Sequence, residues 1–194
     1  MDLKIFNRLV DMDKKKLIKI LVPSLIVLVV VGIWFAKNSA RDSKFEGKLE
    51  GVTPLEAEHF ELNAKTLDME VLGEYNMPII LDFGSNTCLP CISFFPTLKN
   101  VHKDMYGKAI IKYVDVDKYP EIARIYPVQV VPTQIFINPD GTPYNPSKTM
   151  KQMGINFSLY SYKSTDQHAF TVHEGGLSEP QLLAILKDMG VKYD

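Results

Sequence analysis

The two cysteines of the chain lie three residues apart, within the stretch LDFGSNTCLPCISFFPTL at residues 81–98. An apolar run precedes the pair and a helical pattern follows it, so both thiols are expected where a buried strand passes into a helix. Two cysteines in 194 residues are too few for a scaffold held by disulfides. The spacing therefore indicates a local chemical site on a domain that depends on its own hydrophobic core.

Strands and helices are predicted to alternate through the domain that surrounds this pair, residues 54–194. Strands are predicted at MPIILDFGS, KAIIKYVDVD, Thr133–Ile137 and HAFTVHEGG, and helices at residues 64–75, residues 88–106, YPEIARIYP and SEPQLLAILKDMG. Pro96 falls inside the second helix and is expected to kink it. This alternation predicts an α/β fold.

The N-terminal part of the chain predicts a membrane anchor. Residues 20–36 carry no charged side chain, and as a helix they would extend about 26 Å, close to the roughly 30 Å core of a bilayer. Trp34 and Phe35 end the run, where aromatic rings favour the membrane interface. A cleaved signal peptide is the alternative. It fits poorly, because cuts after Ala36 or Ala40 would place Trp34 or Asn38 where a small residue is required.

The basic residues predict how the anchor is oriented. Six precede the apolar run and four follow it closely: Lys4, Arg8, Lys14, Lys15, Lys16, Lys19, and then Lys37, Arg41, Lys44, Lys48. This bias predicts cytoplasmic residues 1–19, a polar linker at residues 37–53, and a domain outside the cytoplasm of a single-pass, bacterial-type membrane protein. Lys and Arg number 22 against 23 Asp and Glu, so nothing in the charge indicates nucleic-acid binding.

The cysteine pair itself admits three interpretations. Two thiols at a helix start can form a disulfide, supply half of a zinc site, or lie buried and inert. Zinc requires four ligands, and the four histidines show no metal-ligand spacing near the pair, so neither a metal nor a cofactor is predicted. A thiolate at the first helical position is stabilised by the helix dipole and by free N–H groups. This predicts Cys88 as a nucleophile and Cys91, one turn deeper, as the resolving thiol.

Five motifs in order make the chain resemble the thioredoxin superfamily. ILDF places Asp82 six residues before Cys88, CLPC follows, and Pro96 stands five residues after Cys91. DVDKYPEIARIYPVQVVPT puts Val131-Pro132 at the family's cis-proline position, and EGGLSEPQLLAILKDMG matches its last turn and helix. The resemblance covers about residues 58–190. It implies a thioredoxin fold, a central mixed sheet flanked by helices, with an insertion at about residues 142–167 before the last strand.

The resemblance also implies roles for individual residues. Cys88 and Cys91 would form a redox-active disulfide, and Asp82 would be a buried proton acceptor. Val131, cis-Pro132 and Gly175 would contact a bound substrate.

The chain departs from the family near this site. Gly84 and Thr87 stand where the family has two tryptophans, and Tyr113 stands where thioredoxins have the lysine that partners the buried acid, with Lys112 one position away. The resemblance therefore implies a buried acid without the lysine partner that thioredoxins supply. In the insertion, aromatic side chains are predicted to form either a small satellite core or a surface for a partner: Tyr144, Phe157, Tyr160, Tyr162.

The implied activity is thiol–disulfide exchange outside the cytoplasm. Pro90, directly before the second cysteine, resembles the reducing members, so a disulfide reductase is favoured over an oxidase or isomerase. Reductases of this kind maintain cytochrome c apoproteins or rescue other oxidised proteins, with electrons from an integral membrane thiol carrier. A non-enzymatic binding domain of the same fold is the alternative from another class.

Overall fold

The computed structural model describes residues 54–193, together with the single residue Leu28. The predicted cytoplasmic segment at residues 1–19, the anchor at residues 20–36 and the linker at residues 37–53 lie outside the described residues, apart from Leu28. Among the residues that are described, no helix combines the length and apolar character needed to cross a bilayer.

Helices and strands alternate through most of this region. The helices are α1 (Pro54–Phe60), α2 (Met69–Glu74), α3 (Leu89–Asp104), α4 (Pro120–Ala123), α5 (Lys148–Gln152) and α6 (Glu179–Asp188). The strands are β1 (Ile79–Gly84), β2 (Ile110–Asp115), β3 (Thr133–Ile137), β4 (Ser158–Ser161) and β5 (His168–Glu174). The predicted α/β class is confirmed.

The strands form one mixed sheet in the order β2-β1-β3-β5-β4. Strands β1 and β2 run parallel, whereas β1–β3, β3–β5 and β5–β4 are antiparallel pairs. The register places Asp82 of β1 between Tyr113 of β2 and Gln134 of β3. The central strand β1 is therefore paired on both sides, and its carboxyl end leads directly to the cysteine pair.

Hydrophobic clusters cover both faces of the sheet. Because side chains alternate along a strand, Ile80 packs with Phe94 of α3 and Leu182 of α6, while Leu81 on the opposite face packs with Leu72 of α2. Every residue of β1 is buried. The sheet is therefore enclosed between two layers, as the predicted thioredoxin fold requires.

Helix α3 shows why the sequence turns from strand to helix at the cysteines. Cys88 is its N-cap, Pro90 lies in its first turn, where a missing N–H costs least, and Pro96 is accommodated inside it. Its buried residues recur at helical spacing and face the sheet: Cys91, Phe94, Leu98, Val101.

The helix predicted at residues 64–75 starts later, at Met69. The side chain of Asp68 accepts a hydrogen bond from the Val71 N–H at 3.1 Å and so caps α2. Before it, Asn63 forms a β-bridge with Tyr113, and the Ala64 N–H donates to the Tyr113 carbonyl at 2.9 Å. This stretch is thus held to the edge of the sheet, which prevents it from joining the helix.

The insertion is neither a satellite core nor simply an exposed surface. Tyr144, Met150 and Ile155 are buried in the same cluster as α3 and α6, while Tyr162 is exposed. The hydroxyl of Tyr144 donates to the carboxylate of Asp188 at the end of α6. The insertion also provides β4, a strand that the sequence did not predict, so it completes both the core and the edge of the sheet.

Candidate active site

The cysteine pair forms a disulfide at the first turn of α3. The Cα atoms of Cys88 and Cys91 are 5.2 Å apart, within the range that a disulfide can bridge. The backbone N–H of Cys91 lies 3.2 Å from the Cys88 sulfur and points to it as an N-cap donor. The same N–H, at the positive end of the helix dipole, would stabilise a thiolate on Cys88.

The two sulfurs differ in accessibility. Cys91 is only 3% exposed, whereas Cys88 is half-buried and Leu89 beside it is 76% exposed. A disulfide on another protein can therefore reach Cys88 before it can reach Cys91. This difference supports the roles predicted for the two residues.

The cis-proline loop lies beside the Cys88 sulfur and is hydrogen-bonded to the turn at Gly175. The Val131–Pro132 peptide bond is cis, and the Val131 carbonyl oxygen lies 3.4 Å from Cys88 Sγ. The Gly175 N–H donates to the Pro132 carbonyl at 2.8 Å, with Gly175 at φ +105°, a conformation that favours glycine. Of the three predicted substrate-binding residues, Val131 thus lies next to Cys88, and Gly175 is hydrogen-bonded to Pro132 in the same loop.

An exposed apolar rim, formed by Leu89, Ile92 and Val130, flanks Cys88 and the cis-proline loop. Leu89 and Ile92 on the first turn of α3 are 76% and 50% exposed, and Val130 before the cis bond is 52% exposed. Apolar side chains that stay exposed beside a reactive sulfur are suited to contact a partner chain.

Asp82 is buried inside the sheet near the end of β1. The residue is 2% exposed, and its carboxylate accepts a hydrogen bond from the Gln134 Nε2 at 2.7 Å. Burial raises the pKa of Asp82 from 3.8 to about 7, although the Gln134 hydrogen bond opposes this rise. A carboxyl group that titrates near neutral pH can both accept and release a proton under physiological conditions.

A family model described as Thioredoxin matches residues 58–156, which is just over half of the chain. The chain belongs to the thioredoxin family. Its motifs, its mixed sheet and its cysteine pair at a helix start agree with this assignment.

Individual relatives match shorter stretches of this thioredoxin-family chain. It is 37% identical over 82 residues to the chloroplastic thioredoxin-like protein CITRX of Solanum tuberosum, a match that covers 42% of this chain and 47% of that protein. It is 33% identical over 79 residues to the thioredoxin of Chlorobaculum thiosulfatiphilum, covering 41% and 72%. A comparison with solved structures pairs it with Fasciola hepatica thioredoxin at 22% identity and a TM-score of 0.41, covering 61% and 86%. The chain spans about half the length of the CITRX relatives.

In this thioredoxin-family chain, Gly84 and Tyr113 stand where the resemblance implied a tryptophan and a lysine. A Cβ atom on Gly84 would lie 2.7 Å from the ring of Tyr113, so the tyrosine occupies the space beside β1 and requires glycine there. Burial raises the pKa of Tyr113 to about 12, so its phenol stays neutral at physiological pH. No cation therefore approaches Asp82 from β2.

Lys112 is not a cationic partner of Asp82 either. It pairs in register with Leu81 and so points to the face opposite Asp82. Its ammonium group donates to the Glu58 and Glu61 carbonyl oxygens, at 3.0 and 2.8 Å. Lys112 therefore serves the attachment of α1 rather than the chemistry of the buried acid.

A polar network that sequence reasoning missed holds the loop before Cys88. Ser85 Oγ donates to the Asp117 carboxylate at 2.5 Å and hydrogen-bonds Thr87, while Asn86 donates to Asp115 at 2.8 Å. These bonds tie the loop to the end of β2 and so fix where α3 and its N-cap begin. The short polar run SNT was the available signal, but its partners lie about thirty residues further along the chain.

No group of three or more His, Cys, Asp or Glu side chains within the described region is arranged to hold a metal ion.

Proposed function

We propose that this chain is a membrane-tethered thiol–disulfide oxidoreductase that reduces disulfides of proteins outside the cytoplasm. The observation that carries the activity is the disulfide at the start of α3, with the half-buried Cys88 sulfur 3.4 Å from the Val131 carbonyl. Membership of the thioredoxin family and the relative exposure of the two cysteines support it.

The exchange begins with the reduced pair. The Cys88 thiolate attacks one sulfur of a substrate disulfide, so that a Cys88–substrate bond forms, the substrate disulfide breaks, and its released thiolate takes a proton. Cys91 then loses its proton to Asp82 and attacks the Cys88 sulfur. The second substrate sulfur leaves as a thiolate and takes a proton, so two electrons have passed to the substrate while Cys88 and Cys91 become a disulfide.

The substrate is an extended segment of an oxidised protein. The backbone of Val131 lies next to Cys88 and offers an edge with which an extended chain can pair. Leu89, Ile92 and Val130 form an apolar rim without a charged side chain, so contacts with the substrate rest on the backbone and on apolar area.

The direction of exchange and the location rest on sequence features. Pro90 between the cysteines favours a reductase, and the apolar run at residues 20–36 favours a single-pass anchor with the domain outside the cytoplasm. An integral membrane thiol carrier then returns electrons to the disulfide. Confinement to the membrane raises the effective concentration of the domain near such a donor. Apoproteins of c-type cytochromes are one substrate class that this arrangement suits.

A trapping experiment tests the proposal. Cys91→Ser removes the resolving thiol, so full-length protein in its native membrane should accumulate mixed disulfides that dithiothreitol releases. Those complexes should contain both a substrate and the membrane donor, since one thiol pair serves both exchanges. Cys88→Ser is the matched control and should accumulate almost none. If Cys91→Ser traps nothing above that background, the exchange mechanism is wrong, and the chain is a non-enzymatic binding domain instead.

Two further measurements separate the remaining parts of the proposal. A reduction potential near −270 mV supports a reductase, whereas one near −120 mV identifies an oxidant. In intact cells, after dithiothreitol has released the mixed disulfides, a maleimide that cannot cross membranes should label Cys88 of the Cys91→Ser variant. Labelling only after the cells are permeabilised would contradict the extracytoplasmic location.

A further inference from the structure

A polar row crosses the sheet beside the buried acid. The register aligns Tyr113 of β2, Asp82 of β1, Gln134 of β3 and His173 of β5 as successive neighbours. Side chains directly opposite in adjacent strands lie close enough to interact. Gln134 thus stands between the acid and the next titratable group, on the face that α3 covers.

Gln134 has an incomplete set of hydrogen bonds. Its side chain is fully buried, and its Nε2 donates to the Asp82 Oδ1 at 2.7 Å. Its Oε1 is buried with no hydrogen-bond partner among the described residues. Burying an amide oxygen without a hydrogen-bond donor costs free energy. The presence of a glutamine at this position, beside a titrating carboxyl group, therefore needs an explanation.

The carboxamide matches both protonation states of Asp82. While Asp82 is a carboxylate, only Nε2 has something to bind, and Oε1 stays without a partner. When Asp82 takes a proton, its O–H can donate to Oε1 while Nε2 still donates to the other carboxyl oxygen. Two parallel hydrogen bonds then replace one, and the carboxyl group keeps its orientation.

We propose that Gln134 is the positioning residue of Asp82: its carboxamide holds the carboxyl group in one orientation before and after proton transfer. This inference rests on the proposed reductase function, in which Asp82 takes the proton of Cys91.

The other neighbours of Asp82 do not fix the orientation of its carboxyl group. From β2 it faces Tyr113, which stays neutral and whose own titration responds to Asp115 and Asp117 as well as Asp82. The first half of α3, from Leu89 to Leu98, carries no charged side chain. On β5, the ring of His173 donates from Nδ1 to the Asn156 carbonyl at 2.8 Å, which directs it toward the insertion. The structure records a hydrogen bond to the Asp82 side chain from Gln134.

The first test follows the titration of Asp82 itself. The 13Cγ signal of Asp82 is recorded against pH in the full chain with its disulfide closed, and is assigned by its loss in Asp82→Asn. Gln134→Met keeps the length of the side chain but removes the donor, so the midpoint should rise by about one pH unit. Gln134→Asn, which is too short to reach, should shift it in the same direction. Phe136→Leu is the control, since it disturbs the same face of β3 at the position opposite Ile80, and its midpoint should stay at the wild-type value.

The second test follows the release step. With a preformed Cys88–substrate mixed disulfide, a one-unit rise leaves Asp82 about fivefold less ionised at pH 7, so resolution by Cys91 should slow about fivefold there. The slowing should disappear above pH 9, and the initial attack by Cys88 should be unchanged. In an Asp82→Asn background, Gln134→Met should have no further effect on the pH profile.

The two tests separate this inference from the proposed function. If the Asp82 midpoint does not move in either Gln134 variant, the positioning role is wrong, whatever the activity. If the midpoint rises but the wild-type protein resolves no mixed disulfide, Gln134 positions Asp82 and the reductase function is wrong. A uniform slowing at every pH would indicate a merely structural role and would also overturn the inference.

Discussion

Replacing Asp82 with asparagine tests how one buried carboxyl group shapes the stability of the whole domain. Asparagine has nearly the same shape and no charge. Its amide can donate to the Gln134 Oε1, which has no partner among the described residues, so the substitution should be accommodated without a new unpaired group. The difference from the wild type should therefore report the cost of the charge.

The pKa of Asp82 sets the size and the sign of that cost. It is about 7 in the folded protein against an ordinary value of 3.8. Between these two values the folded state binds one more proton than the unfolded state, so stability falls as pH rises from about 4 to 7. At ~1.36 kcal/mol per pH unit the penalty reaches about 4 kcal/mol above pH 7 and vanishes below pH 4. Asp82→Asn should match the wild type at about pH 4 and exceed it by up to this amount at about pH 8.

Urea unfolding of the oxidised full chain in mild detergent measures this difference. Far-UV circular dichroism is the suitable probe, because the one tryptophan, Trp34, lies outside the domain. Ile80→Val, on the same strand and face, serves as a control and should lose about 0.5–1.5 kcal/mol equally at every pH. A difference between Asp82→Asn and wild type that is the same at both ends of the pH range would refute the raised pKa.

Two shorter predictions concern the rest of the site. In the reduced protein, brief iodoacetamide treatment should alkylate Cys88 before Cys91, because Cys91 is only 3% exposed, and mass spectrometry that found Cys91 labelled first would reverse the assignment. Gly84→Ala should destabilise the domain by about 1–3 kcal/mol in urea unfolding, because its Cβ would meet the Tyr113 ring at 2.7 Å. In a Tyr113→Ala background, Gly84→Ala should cost little further stability, because the ring that its Cβ meets is gone. If the losses of the two single variants simply add in the double variant, the ring is not the cause.

The parts of the site that the sequence predicted are those encoded by short spacings. Cys88, Cys91 and the first turn of α3 lie within a few residues of each other, and an apolar run before them is sufficient to predict β1. The cis-proline loop was placed by resemblance to the family, since no local pattern connects Val131 to a cysteine more than forty residues earlier.

The parts of the site and the fold that were not predicted depend on contacts between residues far apart in the sequence. Gln134 reads as one polar residue in an apolar run, and only the pairing of β1 with β3 reveals that it faces Asp82. Strand β4 escaped because its four residues are mostly exposed and lack a buried alternation. In the insertion, the buried Tyr144 is hydrogen-bonded to Asp188 of α6, 44 residues away. None of these partners can be inferred from neighbouring residues.

The buried ammonium of Lys112 defines how short a working fragment of this chain can be. Its acceptors are the carbonyls of Glu58 and Glu61, and the His102 ring likewise donates to the Phe60 carbonyl at 2.7 Å. A fragment that began after residue 61 would keep the fold motifs but leave a buried cation without acceptors, a defect that typically costs 3–5 kcal/mol. Truncation at residue 58, where the family match begins, would keep both acceptors but divide α1, so the smallest unit worth expressing begins with α1 at Pro54.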